Sequence, residues 1–174
     1  MEDLLHERGV DVSCEFVLYW WHRFGPRFAS EFKKRRAGGM QSSNWRWHLD
    51  EVFLKINGER HYLWRAVDHE GEVLESYVTK KRDKKAALKF MKKAMRRYGS
   101  SNEIVTDKLR SYSAAAKKLS CADKQVTQRW ANNRAENSHL PFRRRERAML
   151  RFRRMHSLQK FASIHALFNH LFNS

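Results

Sequence analysis

Residues 44–79 read NWRWHLDEVFLKINGERHYLWRAVDHEGEVLESYVT, and this stretch decides the fold. It contains three segments rich in aromatic and β-branched residues, a composition typical of strands: 44–56, 61–68 and 73–79. Asn57-Gly58 is the strongest short signal for a hairpin turn, and Gly71 marks a second turn. The sequence therefore predicts three consecutive antiparallel strands.

The residues after this meander predict a helix and a buried strand. Asp83 is a typical helix N-cap, Gly99 is a typical helix stop, and the apolar residues between them recur at helical spacing. Ile104 to Thr106 form a short apolar run that leads into Asp107. We expect Asp107 to emerge at the carboxyl edge of the sheet, where ligands often bind. The expected fold class is α/β, a mixed sheet with flanking helices.

The carboxyl-terminal third predicts further elements around this sheet. We expect a helix over 113–119, a brief strand over 125–127 and a helix from Asn132, which Pro141 should kink or restart. A final amphipathic helix carries apolar residues from Leu158 to Phe172.

The amino-terminal region predicts a separate small module. Residues 2–8 have a helical pattern, and Ser13 is expected to cap a second helix that ends near Phe24, before Gly25-Pro26. The basic and glycine-containing residues after Lys33 indicate a flexible connector. We therefore divide the chain into a partial helix-turn-helix with a basic linker, 1–41, and a main domain, 42–174.

Charge points to the class of partner. The 174 residues include 36 Lys and Arg against 19 Asp and Glu, which gives a formal net charge of +17 and favours a polyanion such as nucleic acid. The longest apolar run, 16–21, is far too short to span a bilayer. Two distant cysteines indicate neither a disulfide framework nor a zinc site. These features fit a protein of the reducing cytosol.

Three acids stand out in this basic chain: Asp50, Asp107 and Glu136. Oxygen ligands suit Mg²⁺ or Mn²⁺, and two such ions neutralise charge at a phosphate under attack. Any single acid on or after a strand is more often a solvated surface group. The adjacent Glu51 is expected to be structural or exposed.

Four ordered motifs carry a family resemblance: WHLDEV at 47–52, YLWRAVD at 62–68, TDKLRSY at 106–112 and NNRAENSH at 132–139. They resemble the DDE transposases of bacterial insertion sequences, and the group that is most similar is insertion-sequence family six. The resemblance implies a ribonuclease-H-like, retroviral-integrase-like catalytic core. It also implies that Asp50, Asp107 and Glu136 are the catalytic acids and the ligands of two Mg²⁺ or Mn²⁺ ions, and that Arg143 holds DNA.

A dense group of arginines predicts the surface that binds the DNA backbone. Only Glu146 compensates their charge, which favours phosphate contact over an ordinary solvated helix. The group comprises Arg143, Arg144, Arg145, Arg147, Arg151, Arg153 and Arg154.

The resemblance implies a DNA transposase that cleaves DNA and transfers strands with the help of metal ions. Its partners would be double-stranded DNA, both element ends and target, and further copies of itself. The amino-terminal module appears shortened relative to the family, so two alternatives stay open. One is a truncated or repurposed DNA-binding protein without catalysis, and the other is a nuclease of the same fold that cuts without joining.

Overall fold

The computed structural model describes Gly9 and residues 11–39, 45–128, 132–148 and 152–173, with the side chains of residues 36, 39 and 168–173 excepted. It contains five helices, five strands and one short 3-10 turn within these ranges. In chain order they are α1 (Cys14–Gly39), β1 (Arg46–Ile56), β2 (Glu59–Val67), β3 (Val73–Thr79), α2 (Lys84–Tyr98), β4 (Glu103–Thr106), α3 (Arg110–Lys118), the 3-10 turn (Ala122–Lys124), β5 (Gln125–Val126), α4 (Asn133–Ala148) and α5 (Met155–Asn173).

The strands form one mixed sheet in the order β3-β2-β1-β4-β5. The pairs β1/β2 and β2/β3 are antiparallel, whereas β4 pairs in parallel with both β1 and β5. Asn57 and Gly58 both have positive φ, 51° and 82°, as the tight turn between β1 and β2 requires. The predicted meander is therefore confirmed, and β1 lies in the centre of the sheet.

The two faces of the sheet bury separate apolar clusters. On one face, Trp47, Leu49 and Trp64 pack against α2 and α3, where Phe90 and Tyr112 are fully buried. On the other face lie Leu54, Ile56 and Leu63, with Phe142 and Leu158. The α2 boundaries were predicted correctly, since Asp83 accepts a hydrogen bond from the Ala86 amide at 2.8 Å and the chain leaves the helix at Gly99, φ 76°.

The prediction that the amino-terminal helix ends at Gly25-Pro26 is wrong. Helix α1 continues to Gly39, through Pro26 and through residues 33–39 of the expected connector. A proline inside a helix removes the donor that would bond to the carbonyl four residues earlier. Here that carbonyl belongs to His22, and it accepts a hydrogen bond from Lys160 Nζ of α5 at 2.8 Å. A tertiary contact thus replaces the missing backbone donor.

Helix α1 packs on the core. The ring of Trp21 lies 6.4 Å from that of Phe161, and Gly25 approaches Ile164 closely. Further along α1, Lys33 Nζ forms a buried ion pair with Glu75 Oε1 of β3 at 2.8 Å. The division of the chain at residue 42 stays a prediction, but α1 and the sheet are in direct contact.

The second proline also lies inside a continuous helix, because α4 runs through Pro141 to Ala148. The prediction that Pro141 restarts the helix is wrong, because the residues on both sides of it belong to the same helix. The predicted helix at residues 2–8 lies outside the described residues. Of the helices in the described ranges, none is both long and apolar enough to cross a membrane.

Candidate active site

The parallel pairing of β1 and β4 brings two acids together. The register aligns Leu49 with Thr106, so the next residue on each strand is an acid, Asp50 and Asp107. The recorded β1/β4 pairing stops at this point, which leaves both carboxylates at the carboxyl end of β4. Asp107 Oδ1 accepts a hydrogen bond from the Leu109 amide at 3.0 Å, which fixes the turn into α3. The predicted edge position of Asp107 is confirmed.

A third carboxylate in this group belongs to Glu51. One oxygen from each of Asp50, Glu51 and Asp107 lies within 4.8 Å of the others. The Glu51 side chain is only 2% exposed, and its Oε1 forms an ion pair with Arg82 Nη2. The same Arg82 atom lies 3.6 Å from Asp107 Oδ2. Glu51 is therefore buried and charge-paired, so of the two roles expected from the sequence, structural or exposed, the exposed one is wrong.

Two partners from the second face of the sheet contact the surroundings of Asp50. His139 Nε2 of α4 lies 3.0 Å from Asp50 Oδ2. Arg65 is the cross-strand neighbour of Asp50 on β2 and is 2% exposed. Its guanidinium donates to the Ser138 carbonyl and lies 5.9 Å from the centre of the Phe142 ring. Arg65 thus links α4 to β2, at the position on β2 that pairs with Asp50.

Glu136 lies on α4 but outside the cluster of three carboxylates. It is exposed and stands one helical turn before His139, which contacts Asp50. Asn132, at the start of the helix, donates from Nδ2 to the Leu49 carbonyl at 3.0 Å. The residues on either side of Glu136 are therefore anchored beside Asp50, while Glu136 itself faces solvent.

Burial and mutual repulsion alter the acidity of these groups. Burial, with the neighbouring charge of Asp107, raises the pKa of Glu51 to about 7 even though Arg82 opposes the shift. Burial also raises the pKa of Asp107, and the charge of Asp50 adds to this effect. Burial lowers the pKa of His139 despite its contact with Asp50. Neighbouring carboxylates repel one another when they are ionised, so a bound cation would stabilise their charged forms.

The residues at this edge fit a hard divalent cation. Carboxylate oxygens are the ligands that Mg²⁺ and Mn²⁺ prefer. The three side chains meet within 4.8 Å, close enough for their oxygens to share an ion. Asp107 is half-buried and Asp50 is 15% exposed at its side chain, so the group is reachable from solvent.

The structure divides the predicted arginines into two kinds. Arg143 is half-buried: it donates to the Phe53 carbonyl and pairs with Glu146 Oε2, each at 2.6 Å, and its guanidinium lies 5.5 Å from the Phe53 ring centre. The other described members are exposed: Arg144, Arg145, Arg147, Arg153 and Arg154. Arg151 lies outside the described residues. Exposed guanidinium groups are available to phosphates, whereas Arg143 is engaged within the protein.

Sequence reasoning missed Glu51, Arg65 and Arg82. Glu51 and Arg65 belong to the motifs WHLDEV and YLWRAVD, but a strand pattern does not show which polar residue is buried. The cross-strand register between Asp50 and Arg65 could have been found, since the Asn57-Gly58 turn fixes the pairing of β1 with β2.

Solved structures with the same arrangement define the fold class. The chain is similar to a protein in the simian T-cell lymphotropic virus intasome, with a TM-score of 0.55, 16% identity, and coverage of 76% of this chain and 50% of that one. It is also similar to the HTLV-2 integrase catalytic core domain in complex with magnesium, with a TM-score of 0.51, 17% identity, and coverage of 73% and 85%. The fold is therefore the ribonuclease-H-like fold of integrase and transposase catalytic cores, as predicted.

Sequence comparison then assigns the family. A family model described as a DDE domain matches residues 44–174. A transposase for the insertion sequence-like element IS431mec of Staphylococcus aureus is 31% identical over 144 residues, which is 80% of this chain and 62% of the relative. The chain belongs to the DDE transposase family, similar to insertion-sequence family six, and the predicted resemblance is confirmed. It spans less than two thirds of the length of this relative.

Proposed function

We propose that this protein is a DNA transposase that cleaves DNA and transfers the freed strand in a metal-dependent reaction. The observation that carries this proposal is the convergence of Asp50 and Asp107 at the carboxyl end of β4, in a chain that belongs to the DDE family. A net charge of +17 supports a nucleic-acid substrate.

Asp50, Asp107 and Glu136 would hold two Mg²⁺ or Mn²⁺ ions in this proposal. Such ions, when bound, lower the pKa of an attacking hydroxyl or water and stabilise the leaving oxygen. The protein contributes the positions of the ligands. Asp50 is held by His139, Asp107 by the Leu109 amide, and α4, which carries Glu136, by the Arg65 contact with Ser138.

The DNA-binding surface in this proposal is the exposed arginine group of α4 and the segment before α5. It comprises Arg144, Arg145, Arg147, Arg153 and Arg154, with Arg151 and Arg143 as further members predicted from the sequence. Exposed cations of this density attract the phosphates of a duplex. Arg143 would reach DNA only by leaving Glu146 and Phe53.

Three further features belong to the proposal. Joining two element ends to a target requires more protein surface than one small core offers, so the active form would be a homo-oligomer. Residues 1–41 would form a partial helix-turn-helix before the DDE domain at 42–174, with residues 33–39 as the last turns of helix α1 and not a linker. The protein would act in the bacterial cytoplasm, at the nucleoid.

The test is an assay of the purified full chain on supercoiled plasmid and on linear DNA with the terminal repeats of its element, with Mg²⁺ or Mn²⁺. We expect cleaved and joined products, and we expect Asp50→Asn and Asp107→Asn to reduce both to background. Asp123→Asn, which changes an exposed acid of the 3-10 turn, is the matched control and should retain activity.

Three other outcomes would contradict this expectation. Activity of Asp50→Asn equal to that of the unmodified protein would refute the catalytic role of the acids. Salt-sensitive DNA binding without any metal-dependent product would favour the non-catalytic DNA-binding protein. Cleavage without joining would favour a nuclease.

A further inference from the structure

Glu51 is a buried acid, and only one of its two carboxylate oxygens forms an ion pair. Its side chain is 2% exposed, and Oε1 is paired with Arg82. The second oxygen, Oε2, has no hydrogen-bond partner among the described residues. A buried carboxylate loses its hydration, which is unfavourable unless other groups satisfy its oxygens. Glu51 Oε2 thus has no hydrogen bond of normal geometry, and one oxygen of Glu51 lies in the cluster with Asp50 and Asp107.

A second buried group faces the same place. The Tyr112 side chain is 0% exposed, and its hydroxyl interacts with the Glu51 carboxylate, although no hydrogen bond of normal geometry joins the two groups. Buried hydroxyl groups are almost always hydrogen-bonded, so Tyr112 is the natural partner of Glu51 and holds its carboxylate next to Asp50 and Asp107.

Arg82 occupies the cationic position of this cluster. Its Nη2 pairs with Glu51 and lies 3.6 Å from Asp107 Oδ2. It lies in the loop between β3 and α2, and its side chain is 40% exposed. A flexible, partly exposed arginine is able to move into solvent when another cation takes its place.

We propose that Glu51 is a further ligand of the divalent-cation site, which it shares with Asp50 and Asp107, and that Arg82 is the internal counter-ion which the metal replaces. This inference rests on the proposed function for the nature of the ion, but it concerns a residue outside the three acids of the DDE pattern. It explains why two adjacent residues of β1 are both acidic and both directed to Asp107. The Asp50 side chain reaches the cluster from the α4 face, and Glu51 reaches it from the α3 face.

A simpler role for Glu51 makes a different prediction. If Glu51 serves only to hold Arg82 and the loop before α2, its removal would change stability and leave cation affinity unaltered. If Glu51 is a ligand, the loss of its carboxylate directly weakens binding of the cation. The loss of Arg82 strengthens that binding, because a competing positive charge is gone. Because Arg82 also lies 3.6 Å from Asp107 Oδ2, its loss should strengthen cation binding under either hypothesis, and the affinity of Glu51→Gln is the result that separates them.

The experiment is a Mn²⁺ titration of the full chain without DNA, with free Mn²⁺ followed by electron paramagnetic resonance. We expect Glu51→Gln to weaken Mn²⁺ binding at least about tenfold, since even indirect partners of metal ligands contribute that much. We expect Arg82→Gln to tighten binding about two- to fivefold, the magnitude of an ion pair whose cation is partly exposed, since the Arg82 side chain is 40% exposed. Glu103→Gln is the matched control, because Glu103 lies on β4 and pairs with Arg46 in an exposed ion pair.

Thermal unfolding without Mn²⁺ verifies that each variant is folded. Unaltered affinity of Glu51→Gln, alongside weakened binding by Asp50→Asn, would overturn the role of Glu51 and leave the proposed function intact. Unaltered affinity of Asp50→Asn would overturn the metal centre and both proposals with it. If Glu51→Gln does not fold, Glu51→Asp takes its place, because it keeps the charge and withdraws the carboxylate: affinity equal to that of the unmodified protein would refute the ligand role. Affinity of Arg82→Gln equal to or below that of the unmodified protein would refute the counter-ion role.

Discussion

Replacement of Gly25 by alanine tests the packing of α1 on α5. A Cβ atom at position 25 would lie 2.9 Å from Ile164 Cδ1 and 3.3 Å from Ile164 Cγ1, well inside normal contact distance. Ile164 is 0% exposed, so its side chain has little space into which it could move. Overpacking of this kind costs about 1–3 kcal/mol. Against it stands the better helix propensity of alanine, about 1 kcal/mol in a helix interior.

The same helix supplies the control. Gly38, the penultimate residue of α1, has nothing within 4 Å of an added Cβ, so Gly38→Ala meets no clash and gains part of the propensity of an interior position. We therefore expect Gly25→Ala to be less stable than Gly38→Ala by about 1–3 kcal/mol. For a protein of this size, that is a difference in Tm of roughly 3–10 °C. Urea unfolding and thermal scans of both variants measure it.

A double-mutant cycle identifies the clash. Ile164→Val removes the Cδ1 atom, the nearest contact of the new methyl group. On its own this change costs about 0.5–1.5 kcal/mol, but combined with Gly25→Ala it should recover part of the lost stability. Equal stabilisation by Gly25→Ala and Gly38→Ala would refute the reasoning, because it would show that α1 does not pack on α5 at Gly25.

Two other predictions concern charge. Burial opposes the ionisation of Glu75, but the charges of Lys33, Lys93 and Arg97 outweigh it and hold its pKa below the ordinary value. This contribution is fully present above the unfolded-state pKa of about 4.3 and is lost as pH falls through the lower folded-state value. Glu75→Gln should therefore destabilise the protein by about 3–5 kcal/mol at pH 7 and by much less near pH 2, and a constant difference in urea unfolding across this range would contradict the assignment. The second prediction concerns the exposed arginines of α4: replacing Arg144, Arg145 and Arg147 by glutamine should lower the slope of log affinity for duplex DNA against log salt by about two to three units. An unchanged slope in fluorescence anisotropy would place the DNA elsewhere.

Local patterns sufficed to predict most of the core. The Asn57-Gly58 turn, the Asp83 cap and the Gly99 stop act within a few residues, so their effect is visible in the sequence. The antiparallel meander and the position of Asp107 followed from the same short-range signals. The family motifs then added the fold class, which comparison with integrase cores confirmed.

The errors arose where distant contacts overrule local rules. Gly25-Pro26 is a strong helix breaker by itself, but Lys160, 138 positions away, satisfies the carbonyl that Pro26 leaves without a donor. The burial of Glu51 likewise depends on Arg82 and Tyr112, which lie on separate elements. No pattern within β1 distinguishes this buried acid from a solvated one. Tertiary partners of this kind come together only in the folded chain.

The early end of the β1/β4 ladder has a mechanical consequence. The recorded backbone pairing between these strands ends at Leu49 and Thr106, one position before the acids. Beyond that point no β1/β4 backbone pair sets the distance between the two acids. Asp50 stays in the ladder with β2, opposite Arg65, and Asp107 is placed by the Leu109 amide. The spacing of the two carboxylates is therefore set from two separate sides, by a neighbouring strand for one and by the turn into α3 for the other.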